Sequence, residues 1–378
     1  MTGAGGTPPA GKIGVLAINF GEPDEPTREK VIPFLERIFL QNANLEPNES
    51  GRERARQLAE ARAPGLIEEY EAIGGSPLNR QADHQAEALE ANLRSRGRDA
   101  RVYSVFQFTE PSIADGVAKA RADGVDTLVA LPVYPICGRS TTVAALESVR
   151  TSLADQGWSP VFRGVSGWHH AEAYVELRTQ NVRAFVAERG LDLEDLDTLL
   201  YFSVHGTPIK YLDEGNRYDR YVEEQCRDIA RRLGTSTYAV GFQNHTNRRI
   251  AWTQPDNEDR IREAPERRLV VVPISFMHEQ SETLAELDHE LRDFIESLGK
   301  ELHRVPVPHD SEDFTSVLAD LVELLAGVDE GSRSGDAPLP ESSHLARCRC
   351  APFEGVWCTN GQRELPPSPY ARERQAAS

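Results

Sequence analysis

Glu282, Glu286 and Glu290 stand four residues apart in Ser281-Glu282-Thr283-Leu284-Ala285-Glu286-Leu287-Asp288-His289-Glu290. On a regular helix that spacing puts the three carboxylates in one stripe, with Leu284, Leu287 and Leu291 in a second stripe roughly opposite. Such a row can carry protons or a hard cation. It is equally the solvated face of a surface helix, because like charges at this spacing cost only a few tenths of a kcal/mol per pair. His205 adds to the chemical reading. It closes the apolar run Leu199-Leu200-Tyr201-Phe202-Ser203-Val204, which Gly206 and Pro208 then stop. A neutral imidazole at a strand end can ligate a metal or move a proton near neutral pH, or simply cap a turn. Glu282 also follows a strand end, that of residues 269–275, in the same half of the chain. A His and a Glu from adjacent strand ends can face each other across one cleft.

Two other motifs fail their chemical tests. His278-Glu279-Gln280-Ser281-Glu282 resembles the zinc-protease helix, but its fifth position is Glu rather than His and no third ligand follows. Gly74-Gly75-Ser76-Pro77 could present backbone amides to an anion, yet it lacks the P-loop lysine and the dinucleotide glycine spacing. The cysteines say more. Cys348, Cys350 and Cys358 fall within eleven residues of a tail, a pattern suited to soft-metal or iron–sulfur ligation. A fourth ligand would come from Cys137, in a turn after a strand, or from Cys226, which lies among core-like helix positions. Sequence does not separate zinc from iron–sulfur at such a site.

These residues need a scaffold. At 378 residues the chain is long enough for two domains with their own cores. Apolar runs suited to buried parallel strands (12–19, 101–105, 127–132, 160–165) alternate with amphipathic helical stretches, and the alternation resumes after residue 170 (198–204, 237–242, 269–275, 303–307). A second helical region, 52–73, is expected to break at Pro64. The expected fold is α/β, two doubly wound parallel-sheet, Rossmann-like domains over 12–168 and 169–327 with a cleft between them. Ligands in such sheets bind beyond the carboxyl ends of the strands, where His205 and the 275–278 segment fall. Residues 327–347 read as a linker, and 328–378 as linker plus cysteine-bearing tail.

A net charge of -18 argues against a nucleic-acid partner, which would need a basic face. No apolar run reaches the ~18 residues that span a bilayer. Met1-Thr2-Gly3-Ala4-Gly5-Gly6 lacks the features of a signal peptide, and five cysteines form no disulfide framework, so a reduced cytoplasmic setting is expected.

Taken together, five blocks in order resemble the ferrochelatase family: Leu16-Ala17-Ile18-Asn19-Phe20-Gly21-Glu22-Pro23; Glu69-Tyr70-Glu71-Ala72-Ile73-Gly74-Gly75-Ser76-Pro77-Leu78; Leu131-Pro132-Val133-Tyr134-Pro135 with Ser140-Thr141-Thr142; Phe202-Ser203-Val204-His205-Gly206-Thr207-Pro208; and Pro273-Ile274-Ser275-Phe276 with Ser281-Glu282-Thr283-Leu284-Ala285-Glu286-Leu287-Asp288. The resemblance covers about residues 12–325. It implies a chelatase-type fold that inserts Fe2+, its substrate, into a porphyrin (protoporphyrin IX or coproporphyrin III) held in the cleft, with release of two protons. By resemblance His205 and Glu282 are the catalytic pair, and Glu286 and Glu290 extend a metal or proton path along a distorted, π-type helix. Arg62, Tyr70 and Ser76 match porphyrin contacts. The 31–40 segment matches a lip that in some relatives touches membrane, so peripheral membrane contact stays open here, as does monomer against homodimer. Iron–sulfur members of the family imply a [2Fe–2S] cluster on Cys137, Cys348, Cys350 and Cys358. The chain departs from the pattern at several places, the spacing of its tail cysteines, which differs from that in animal enzymes, among them. Its glycine run before Ser76 is one shorter than in many relatives. Cys137 and Gly138 replace a Tyr and a Ser, with Cys137 two positions earlier than the animal cluster ligand. Gln280 stands where animal enzymes carry His.

Overall fold

The computed structural model describes residues 11–45, 51–244, 250–327, 345–351, 354–360, 365–366 and 368–370. The first half of the chain runs β1 (Ile13–Asn19), α1 (Arg28–Gln41), α2 (Arg52–Ala72), α3 (Leu78–Ser95), β2 (Ala100–Phe106), α4 (Ile113–Ala122), β3 (Thr127–Pro132), α5 (Ala144–Asp155) and β4 (Val161–Gly167). The second half runs α6 (Glu172–Arg189), β5 (Thr198–His205), α7 (Ile209–Asp213), α8 (Tyr218–Leu233), β6 (Tyr238–Gln243), α9 (Asn257–Glu263), β7 (Arg268–Pro273), α10 (Arg292–Ser297), β8 (Glu301–Arg304) and α11 (Glu312–Ala326). The tail adds β9 (Ala346–Arg347) and β10 (Val356–Cys358).

Among the described residues these strands form two sheets, ordered β2-β1-β3-β4-β10-β9 and β6-β5-β7-β8. All pairs but β9–β10 are parallel. Every residue of β1 is buried, as is all of β5 up to His205, which is why both read as continuous apolar runs rather than alternating ones. The α/β class and its two parallel sheets are as expected. Helix α11, though last in the main body, packs on α3 and β3 of the first sheet, where Glu323 pairs with Arg96 and Arg98. No helix among the described residues is long and apolar enough to cross a membrane.

The structure corrects the expected break at Pro64. Helix α2 is continuous through it, because Ala55, Ala59, Ala63, Leu66 and Tyr70 keep one unbroken buried stripe past the proline. Burying that stripe on α1 outweighs the ~3 kcal/mol that an interior proline costs. Among the described residues two segments are π-helical, Arg139–Val143 and Glu282–Leu291. The second accords with the helix type that the resemblance implied; the first, leading into α5, was not anticipated.

Most of the expected linker lies outside the described residues, but the tail beyond it is built into the first sheet. β10 pairs with β4 (Val356↔Gly164, Trp357↔Val165). Gly355 makes this approach feasible, since it has φ 77° and a Cβ there would lie 2.6 Å from the Phe162 carbonyl oxygen.

Candidate active site and thiol cluster

Three strand ends of the second sheet converge. β5 and β6 run in register to His205↔Gln243, and β5 and β7 to Ser203↔Pro273, so the loop after Pro273 passes directly over His205. The His205 backbone N–H donates to Ser275 Oγ (3.0 Å), and Tyr218 Oη donates to the His205 carbonyl (3.0 Å). The ring is oriented by Gly206, whose carbonyl lies 2.7 Å from Nδ1. A carbonyl can only accept, so Nδ1 carries the proton and the neutral ring leaves Nε2 bare. That Nε2 lies 4.0 Å from Glu282 Oε1, with the rings of Trp252 and Phe276 around the imidazole.

Glu282 opens the π-helix. Burial first, then the negative charges of Glu22 and Glu286, hold its carboxyl well above the usual range, against a hydrogen bond from Gln280 that lowers it. Gln243 donates from one Nε2 to the Glu282 carbonyl (3.0 Å) and to Glu286 Oε2 (3.2 Å), so the end of β6 clamps the acid row. Burial pushes Glu286 up to about 7, with the Gln243 hydrogen bond opposing. Glu290 is exposed at the outer end, raised by its residual burial and by Glu69 and lowered by Arg62. The row therefore runs from a buried carboxyl to solvent.

A raised pKa in the folded state has a stability consequence with a definite sign. Below pH ~4.5 Glu286 is protonated folded or unfolded and contributes nothing. As pH climbs toward about 7 only the unfolded chain has released the proton, so stability falls. Glu286→Gln is accordingly expected to raise unfolding free energy at pH 8 by ~1–3 kcal/mol, with the gain vanishing near pH 4. Urea melts at both values check it; equal gains at both would refute a titrating cause.

Glu22 is a partner that sequence reasoning passed over. It lies in the turn after β1, 4% exposed, and its carboxylate accepts from Tyr70 Oη (3.1 Å), the Ser281 amide (3.1 Å) and the hydroxyls of Ser76 and Ser281. Burial raises Glu22 against these hydroxyl and amide hydrogen bonds, which pull it down. The first sheet is thereby tied to the residue before Glu282. Tyr134, in the loop after β3, donates to Gln107 Oε1 (2.8 Å) and has its phenol raised by burial and by the charge of Glu282. Glu22 and Tyr134, from the first sheet, thus meet Ser281 and Glu282, from the second.

The sequence-derived residues sort clearly. His205 and Glu282 come together, and Glu286 and Glu290 continue from them. Tyr70 and Ser76 meet on Glu22. Arg62 stands apart from that pair, bonded to Glu69 (2.7 Å) beside the outer end of the row. His278 is directed elsewhere, against Phe314, with burial pushing its imidazole down to about 3, in keeping with the rejected zinc-protease motif. Gln243 carried one signal that went unread: like His205, it is the last residue of a strand in the second sheet.

The tail brings Cys348, Cys350 and Cys358 against Cys137, all as free thiols. Cys350 contacts Cys137 and Cys348, and Cys348 contacts Cys358. Hydrogen bonds from Cys350 and Cys358 pull Cys348 down to about 3, and Ser166 Oγ (2.8 Å) and the Ala351 amide (3.2 Å) also donate to it. Cys137 and Cys348 push Cys350 far up, and Cys348 does the same to Cys358. Cys226 is elsewhere, fully buried in α8, its thiol raised by burial.

The fold and these side chains define a parallel-stranded α/β protein in which an imidazole faces a row of buried and half-buried acids. The ferrochelatase family model matches residues 12–325. The ferrochelatase of Synechococcus elongatus is 33% identical, covering 83% of this chain and 82% of that protein. That of Gloeobacter violaceus is 31% identical over 84% and 98%, and the chloroplastic ferrochelatase-2 of Arabidopsis thaliana 30% over 82% and 63%. Among solved structures, the sirohydrochlorin chelatase SirB from Bacillus subtilis subspecies spizizenii, in complex with cobalt, superposes with a TM-score of 0.47 at 10% identity, over 87% of this chain and 100% of that one. The chain belongs to the ferrochelatase family and is an enzyme that inserts a metal into a tetrapyrrole. The tail cysteines stand beyond the matched residues.

Proposed function

We propose that the enzyme inserts Fe2+ into a porphyrin, protoporphyrin IX or coproporphyrin III, releasing two protons. The observation that carries this is the bare His205 Nε2 facing a buried Glu282 whose proton affinity is raised. Incorporating a divalent ion requires a base for the pyrrole protons and oxygen or nitrogen ligands for the ion as it loses water. His205 Nε2 takes a pyrrole proton and hands it to the Glu282 carboxylate, from which it leaves by Glu286 and Glu290 to solvent; the second pyrrole proton follows the same way. Tyr70 and Ser76 serve the macrocycle by positioning Glu22, and Arg62 is placed to meet an acidic substituent at the cleft mouth. Purified protein given each porphyrin with Fe2+ under anaerobic conditions should quench free-base fluorescence. Turnover of neither porphyrin would overturn the reading.

The four-thiol group fits a [2Fe–2S] cluster held by Cys137, Cys348, Cys350 and Cys358. Soft donors converge there, one already favoured as thiolate, and no disulfide consumes them. When bound, a cluster supplies iron–thiolate bonds and a one-electron couple. The chain's own part is to present the donors: Ser166 and Ala351 hold Cys348, and Tyr221 Oη reaches Cys350 Sγ at 3.2 Å. Anaerobically purified protein should show thiolate-to-iron absorption that Cys348→Ser abolishes. A colourless, zinc-loaded protein would assign the site to zinc instead.

A further inference from the structure

A second constellation of donors lies outside both sites. His169 and His170 follow β4 and the Trp168 turn, while Glu224 and Asp228 sit one turn apart on α8. Donor atoms of His169, His170 and Glu224 all lie within 4.8 Å of one another. His169 is fully buried, and the His170 and Glu224 side chains are only 10% and 15% exposed. Two imidazoles and a carboxylate are the ligand set that zinc and its neighbours prefer.

The surrounding hydrogen bonds orient these rings as a metal requires. His170 has Nε2 2.9 Å from Glu224 Oε2 and Nδ1 3.4 Å from Asp228 Oδ2. Here Nε2–H donates to the Glu224 carboxylate; an ion that displaces this proton takes the Nε2 lone pair while Nδ1 stays directed at Asp228, the carboxylate–histidine–metal arrangement. His169 Nε2 lies 3.2 Å from the Asn360 side-chain amide, whose buried Oδ1 is without a hydrogen bond as placed. Turning that amide over lets Oδ1 accept from Nε2–H and leaves Nδ1 bare, which satisfies the orphaned oxygen. The tail thus reaches the site through Asn360, two residues past Cys358.

From this geometry we infer that His169, His170 and Glu224 bind a divalent transition-metal ion of the zinc class. Asp228 and Asn360 orient the imidazoles, and the ion fastens the tail and the β4–α6 turn to α8. The site is separate from the acid row and from the thiols, although Tyr221 bridges it to the latter by packing its ring, tilted by 40°, against His169 at 5.2 Å and bonding Cys350.

The test uses the full chain carrying Cys348→Ser and Glu282→Gln, which weaken zinc binding at the other two donor groups. Equilibrium dialysis against Zn2+ alone, with metal analysis, should find one ion per chain that His170→Gln and Glu224→Gln each remove. Asp228→Asn, which keeps a polar side chain of the same shape, should retain the ion with ~10–100-fold weaker affinity. Circular dichroism verifies that each variant is folded, and if His170→Gln is not, the Asp228→Asn affinity carries the decision. Zinc binding unchanged in Asp228→Asn and Glu224→Gln, or absent from the parent, would overturn the inference and leave His170 as a hydrogen-bond partner of Glu224 only.

Discussion

His205→Ala is expected to lower porphyrin metallation by ~10²–10⁴-fold, the range for loss of a positioned general base. The geometry says why the loss should be in turnover rather than in folding. The ring's contribution to structure is modest: its backbone, not its side chain, bonds Ser275 and Tyr218, and the side chain is 31% exposed. What alanine removes is the bare Nε2 opposite Glu282, and no other imidazole stands at that strand end to replace it among the described residues. Porphyrin affinity, read by fluorescence titration, should change little while kcat falls. Added imidazole should restore part of the rate if the loss is one of proton transfer. Full turnover in the variant would refute the assigned base and move attention to Glu282 or Glu22 as first proton acceptor.

Arg304→Met is expected to cost about 3–5 kcal/mol of stability, the range for removing one partner of a buried ion pair. Arg304 ends β8, 9% exposed, and its Nη1 bonds Glu279 (2.8 Å) while Nε and Nη2 fork onto Asp288 (Nε at 2.8 Å). Glu279 lies just before the π-helix and Asp288 within it, so one guanidinium spans both sides of Glu282. Methionine fills the volume but strips the guanidinium from both carboxylates, leaving Glu279 on the Val307 amide (3.2 Å) and Asp288 beside Arg292 (3.6 Å). Denaturant melts measure the loss, and the double change Arg304→Met with Asp288→Asn should recover part of it, since one orphaned charge is then gone. Activity should fall as well, because a shift of about 1 Å at Glu282 is enough to cost ~10²-fold. A stable, fully active variant would show that the π-helix is held by its own packing alone.

The strands and their parallel pairing were legible because burial on both faces leaves continuous apolar runs, as in residues 269–275, and such runs need no partner to be seen. His205 and Glu282 were legible for a related reason: a polar residue at the end of an apolar run stands out. Pro64 misled because propensity is local, whereas the stripe from Ala55 to Tyr70 is stabilised by α1, a different segment. Glu22 was missed since its meaning depends on Ser281, some 260 residues onward, and nothing local marks it. The thiols fall between these cases. Three were visible by spacing, and Cys137 was preferred over Cys226 by its loop position, but only the pairing of β10 with β4 brings the four into contact.

The sequence by itself determined the α/β class, the order of its elements, the acid row and the cysteine set, because these are written in short-range pattern and residue type. Tertiary structure alone decided which way the row faces and what its acids are. Glu282 becomes a high-affinity proton site through burial and the charge of Glu22, and His205 presents Nε2 because Gly206 holds Nδ1. Proton affinity and tautomer depend on what surrounds a group within a few ångströms, and in a folded chain those neighbours come from distant residues.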